Sequence, residues 1–105
     1  MNENKINVIK NEKIYSIFFV EIAEILNEEI KINYNKNNFL VTLVYLNINY
    51  NMNIIKAYIN IYPYSEKILV NKICSKYKVY RKLLSKRLRY RVKKIPRLNI
   101  FVLNK

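Results

Sequence analysis

Apolar residues recur along the chain with two different periods. From about Asn7 to Lys31 the stripe Ile14, Phe18, Ile22, Ile25 and Ile30 advances by three to five residues at a time, and Ile17 and Leu26 widen it. Glu21, Glu24 and Glu28 lie off that stripe. This is the signature of an amphipathic helix with a broad core-facing side. Asn33 to Asn38 is polar and predicts a loop. Phe39 to Ile48 is rich in β-branched and aromatic residues and predicts a strand. A break follows at Asn49–Asn53, where asparagine can supply the positive φ that glycine usually takes. Ile54 to Tyr62 then alternates: Ile55, Ala57, Ile59 and Ile61 point one way, Lys56, Tyr58, Asn60 and Tyr62 the other. That is a strand with one buried face, and the two strands should pair as a hairpin.

Pro63 stops the second strand and Ser65 is a suitable helix N-cap. The period changes back to helical from about Glu66 to Leu88. Ile73, Tyr77, Tyr80, Leu84 and Leu88 form one stripe, and Lys78, Lys82, Lys86 and Arg89 fall opposite it. Were this helix to run on, Arg87 and Arg91 would swing onto its apolar side. The helix should therefore end or kink near Leu88–Tyr90, leaving Arg89 to Lys94 as a basic turn. Pro96 sets the entry to a last strand, Leu98 to Leu103, with Leu98, Ile100 and Val102 facing the core.

The element order is helix, strand, strand, helix (whole or broken in two), strand. Its economical packing is an α+β two-layer sandwich, a three-stranded sheet with helices on one face. The last strand returns after a helical crossover and can lie parallel to one hairpin strand. The order α-β-β-α(-α)-β is that of a type II KH domain. No repeat or linker divides the chain, which reads as one domain over residues 1–105 with an ordered core at about 6–103.

Composition removes most chemistry. Histidine, aspartate, glycine and tryptophan are all absent from the 105 residues. One thiol without an imidazole cannot build a His/Cys metal set or a Cys-His nucleophile, and no Ser-His-Asp set exists. Without glycine there is no phosphate-cradling loop. The chain is read as neither an enzyme nor a cofactor or small-molecule binder. Glu21, Glu24 and Glu28 are read as a solvated helix flank rather than a paired-carboxylate site. Cys74 has no disulfide partner, which fits a reducing compartment, and is expected as a small buried core residue. No apolar run approaches the roughly 18–20 residues that cross a bilayer, and Met1 to Asn7 lacks a signal-peptide layout. Asparagine, isoleucine, lysine and tyrosine make up over half the chain. Their codons are AT-rich, which points to the cytoplasm of a reduced, AT-rich bacterium, with an organelle stroma as the alternative.

Charge supplies the positive signal. Residues 1–66 hold six lysines and seven glutamates, a net of −1. Residues 67–105 hold nine lysines, five arginines and no acid, a net of +14. Such a one-sided field attracts polyanions and makes their binding salt-dependent. Nucleic acid is the expected partner, ahead of an anionic membrane or a merely solvated face. The glycine-dependent clamp of ordinary KH domains is closed to this chain, so RNA must be met by side chains. Lys78, Lys82, Lys86 and Arg89 are expected along one helix face, with Arg87, Arg91, Lys93, Lys94 and Arg97 extending the patch from the turn. Tyr58 and Tyr62 on the polar strand face could stack on bases, though rim packing is the plainer reading.

The stretch VYRKLLSKRLRYRVKKIPRLNIFVL, Val79 to Leu103, resembles the C-terminal signature of the ribosome-binding factor A family. That family has a helix ending in an Arg-x-Leu-Leu-(small)-Lys run, a basic turn, Pro-x-Leu and a final strand; Arg81, Leu83, Leu84, Ser85, Lys86, Pro96 and Leu98 match it. The strand IIKAYINIY resembles the family's Ala-Lys-Val-Tyr-Val strand, with Lys56 and Tyr58 in register, and EIAEILNEEIK resembles its first helix. The resemblance implies a KH type II fold and a bacterial factor that binds the small (30S) ribosomal subunit late in 16S rRNA maturation and then leaves it. It implies no enzymatic activity. It adds Arg81 to the candidate RNA-binding residues, and a monomer without membrane contact is expected. The chain departs from the family in lacking Asp-Pro after the first helix and in carrying Asn51 for the hairpin aspartate. The family's Ala-x-Gly helix kink falls on Lys76-Tyr77-Lys78, which leaves the kink absent or shifted. A general single-stranded nucleic-acid binder and a small basic ribosomal protein are the competing readings.

Overall fold

A computed structural model describes residues 2–34, 40–62, 67–92 and 94–104. The first helix, α1, spans Asn2–Tyr34. Its stripe is buried as the spacing requires: Phe18, Ile22, Ile25, Leu26 and Ile30 lie in the core, with Ile14 and Ile17 packed on its rim. The helix outruns the expected ends on both sides because neither flank holds a proline or glycine to stop it. Asn33 and Tyr34, expected in the loop, are its last turn. The rest of that loop and Phe39 lie outside the described residues, as do Pro63 and Ser65.

Strands β1 (Leu40–Asn49) and β2 (Ile54–Tyr62) form the expected antiparallel hairpin. The turn between them is built by asparagines. Asn49 accepts the Met52 amide on its side-chain oxygen at 3.0 Å, and Asn53 takes φ +56°. Short polar side chains make that left-handed conformation tolerable without glycine. On β2, Ile55, Ala57, Ile59 and Ile61 are completely buried. Each isoleucine so buried stabilises the fold by about 1.5–3 kcal/mol.

β1 does not alternate so simply. Leu43 pairs with Ile59 but Tyr45 with Tyr58, so Val44 is an extra, bulged residue. Strict alternation from Val41 and Leu43 would bury Tyr45 and expose Leu46. The bulge reverses this, burying Leu46 and turning Tyr45 outward. The Leu46 amide beyond the bulge donates to the Tyr15 hydroxyl of α1 at 3.0 Å.

The expected long second helix is two helices, α2 (Lys67–Ser75) and α3 (Tyr77–Arg87). The break falls on Lys76, at the position of the family kink, yet needs no glycine: φ −88° and ψ 17° suit an ordinary residue. The carbonyls that α2 leaves open are satisfied locally. Ser75 Oγ donates to the Lys72 carbonyl, while the Lys76 amide and the buried Tyr80 hydroxyl donate to that of Ile73, at 3.3 and 2.9 Å. The break also rotates Tyr77 off the apolar stripe, where it is 40% exposed, while Ile73, Tyr80, Leu84 and Leu88 stay buried. Cys74 is half-buried against the core rather than within it.

β3 (Arg97–Val102) runs parallel to β2, giving the order β1-β2-β3 with β2 central. Leu98, Ile100 and Val102 face the core as expected. Two contacts fix its ends. The Arg97 amide donates to the Asn53 carbonyl, and the Asn104 amide side chain bonds both the N–H and C=O of Ile61, continuing the ladder past the last strand residue. α1 packs on β1 and α3, and α2 and α3 pack on β3. All three helices cover one sheet face. The result is the two-layer α+β sandwich with KH type II element order.

Candidate nucleic-acid interface

The cations of the C-terminal third do not form one line. They divide by what α3 packs against. Lys78, Lys82 and Lys86 recur every four residues along the side of α3 away from its buried Tyr80 and Leu84, and all three are exposed. Arg89, Lys94 and Arg97 are exposed after the helix, and none of these six meets a carboxylate among the described residues. Lys93 lies outside the described residues.

Arg87, expected to extend the cationic patch, is the last residue of α3 and points away from that patch, at α1. Its Nη1 donates to Glu21 Oε2 at 3.2 Å and Glu24 Oε2 at 2.7 Å, and its Nη2 to Glu28 Oε2 at 2.7 Å. Arg91 Nη1 reaches Glu21 Oε1 at 3.6 Å. The hydrogen bond to Glu28 above all, helped by Glu21 and Glu24 against desolvation, pushes the Arg87 guanidinium above its already high ordinary pKa. The glutamates sit at positions i, i+3 and i+7 of α1, hence on one face. An arginine on the wrong side of α3 and an acid row on the flank of α1 are the two halves of one contact. That pairing was the available sequence signal for it.

Arg81 serves the backbone. Its Nε donates to the Pro96 carbonyl at 3.2 Å and its Nη2 to that of Ile95 at 3.0 Å, tying α3 to the entry of β3. One edge of its guanidinium remains for other use. With Tyr77, Lys78, Ile54, Arg97 and Asn99 it lines a cleft of about 560 Å³ between the start of α3 and the start of β3. No group of three or more metal-ligating side chains exists among the described residues. None of the described helices is long and apolar enough to cross a membrane.

What the site can do is hold a polyanion against α3 and the cleft beside it, through charge and arginine hydrogen bonds. The class this defines is a small KH-like α+β protein whose outer helix carries the cations. Among solved structures it is similar to ribosome-binding factor A from Thermus thermophilus, at 17% sequence identity and TM-score 0.60, over 84% of this chain and 93% of that one. A second Thermus thermophilus ribosome-binding factor A structure, a homology model fitted into the cryo-EM map of a 30S complex, matches at 18% identity and TM-score 0.61, over 79% and 88% of the two chains. These likenesses establish the fold. No family model matches the sequence, and neither does any curated protein.

Proposed function

We propose that this protein is a ribosome-binding factor of the ribosome-binding factor A type, which docks on the 30S subunit through 16S rRNA and assists its late maturation as a cytoplasmic monomer without catalysis. One observation carries the reading: the lysine row of α3, which meets no carboxylate among the described residues, on a fold shared along most of both chains with a protein fitted into a 30S complex. Lys78, Lys82, Lys86, Arg89, Lys94 and Arg97 meet phosphates. Arg81 holds the cleft wall and adds a partial contact. Arg87 and Arg91 act chiefly through α1. Contacts of this kind position a protein by shape and charge rather than base sequence.

Six phosphate contacts predict a loss of about a thousandfold in affinity between about 50 and 200 mM salt. The test is co-sedimentation on sucrose gradients. The parent protein should travel with immature 30S particles and be absent from translating ribosomes. The triple variant Lys78→Glu, Lys82→Glu, Lys86→Glu should remain at the top of the gradient with an unchanged circular dichroism spectrum. Retention by the folded triple variant, or a parent found in polysomes as a permanent component, overturns the reading.

A further inference from the structure

Among the described residues, no helix covers the second face of the sheet, and its residues are not those of an ordinary solvated face. The bulge at Val44 sets Tyr45 of β1 opposite Tyr58 of β2, and the parallel pairing sets Phe101 of β3 beside the same tyrosine. The three rings form one column across the sheet. Tyr45 and Tyr58 stack with centroids 4.4 Å apart at 14°, and Tyr58 and Phe101 at 5.4 Å and 23°. The two end rings, on the two edge strands, stay 43% and 42% exposed. The next row across the sheet is Asn47, Lys56 and Asn99, and Arg97 begins the row after it. The three strands contain no aspartate or glutamate.

The three strands offer cations and amides beside the rings and no acid, a charge balance that favours a polyanionic partner with flat faces. Single-stranded RNA uses every group present: ring faces for bases, amides for base edges and cations for phosphates. We propose that this sheet face is a second RNA contact that takes unpaired nucleotides. A base continues the column by stacking on the outward side of Phe101 or Tyr45. Asn47 and Asn99 meet base edges, and Lys56 and Arg97 meet the flanking phosphates. Arg97 and Asn99 also line the cleft beside Lys78 and Arg81. A strand leaving α3 therefore crosses the β3 edge onto the sheet over continuous cationic ground. The inference rests on the RNA-binding reading above and shares Arg97 with it, but its rings and amides, Tyr45, Tyr58, Phe101, Asn47 and Asn99, are other residues.

The experiment compares a single-stranded polyuridine oligonucleotide with a duplex RNA of equal length, each titrated into the full chain. The parent should bind both. The double variant Tyr45→Leu, Phe101→Leu should lose about fivefold or more in affinity for the single strand and keep its duplex affinity. The variant Lys78→Glu, Lys82→Glu should lose both. In the unmodified protein, thiouridine-substituted single strands should photo-crosslink to β1 and β3 peptides, a readout independent of whether the leucine variant folds. A folded leucine variant with undiminished single-strand binding, crosslinks confined to α3, or a dimer closed through this face in sedimentation equilibrium overturns the proposal while leaving the α3 surface standing. A parent that binds neither RNA removes both readings together.

Discussion

Replacing Arg87 by methionine keeps the aliphatic stem and removes the guanidinium that joins α3 to α1. The cost can be worked from the geometry. Glu24 and Glu28 are 55% and 62% exposed, so their bonds to Arg87, though only 2.7 Å long, belong to the surface class worth about 0.2–1 kcal/mol each. Glu21 is 17% exposed against 27% for Arg87, a better shielded pair worth about 1.5 kcal/mol as a charged hydrogen bond. Removing the cation also leaves three glutamates on one helix face, with like-charge repulsion of a few tenths of a kcal/mol, about 0.2–0.5 per neighbouring pair. Arg91 offsets part of this at Glu21. The balance is about 2 kcal/mol. At about 4 °C or more per kcal/mol for a domain of this size, the thermal midpoint should fall by roughly 8 °C.

The assay is thermal unfolding by circular dichroism, at low salt and again near 1 M sodium chloride. There the screening length shrinks to about 3 Å, and roughly half of the difference should vanish. A double-mutant cycle with Glu28→Gln should return a coupling of about 0.5–1 kcal/mol. An Arg87→Met variant that melts with the parent, or one whose deficit is the same at both salts, would refute the electrostatic tie and leave Arg87 free for other partners.

Tyr80→Phe removes the buried hydroxyl that spans the α2–α3 break, leaving the Ile73 carbonyl with the longer Lys76 bond. Urea unfolding should show a loss of about 1–2 kcal/mol with an unchanged slope. Asn104→Ala removes both bonds to Ile61 and should cost about 1 kcal/mol, with faster hydrogen exchange at the Ile61 amide. Tyr50 is about half exposed, and the partial desolvation of its phenol pushes it above its ordinary value of 10.0. The unfolded chain therefore gives up this proton first. The stability linked to it is complete below the unfolded value and is lost as pH rises through the folded one. Carbon-detected NMR titration should find Tyr50 ionising after an ordinary tyrosine, and Tyr50→Phe should flatten that part of the alkaline stability curve.

Wherever one face of an element is buried and the other wet, the sequence shows it plainly. β2 alternates residue by residue, and the α1 stripe from Phe18 to Ile30 is buried as spaced. β1 was harder because Leu-Val-Thr-Leu-Val-Tyr-Leu is apolar at nearly every position, so no period marks the bulge at Val44. The break at Lys76 was hidden for a related reason. The stripe Ile73-Tyr77-Tyr80 keeps helical spacing across it, and the bond that holds it, from the Tyr80 hydroxyl, is invisible to periodicity. Of the candidate site, the α3 lysines were legible because they lie opposite a clear stripe. The fates of Arg81, Arg87 and Arg91 were not, because each depends on a neighbour distant in sequence: carbonyls at 95 and 96, or carboxylates at 21, 24 and 28.

The placement of acids decides what the basic half of the chain can offer a polyanion. Every glutamate precedes Lys67, and α1, which holds most of them, packs against α3. Negative charge is thereby drawn to one flank of α3, where Glu21, Glu24 and Glu28 neutralise Arg87 and Arg91. The lysine flank is left without a carboxylate among the described residues. A helix that would otherwise be cationic all round gains a direction. A polyanion on the α1 side would meet these carboxylates, and one on the lysine side would meet cations that, among the described residues, face no acid and continue past Arg97 to the sheet edge. Reversing charges at Arg87 would thus weaken the scaffold before it tested binding. Reversal at Lys78, Lys82 and Lys86 disturbs no contact of the core, so it separates docking from folding.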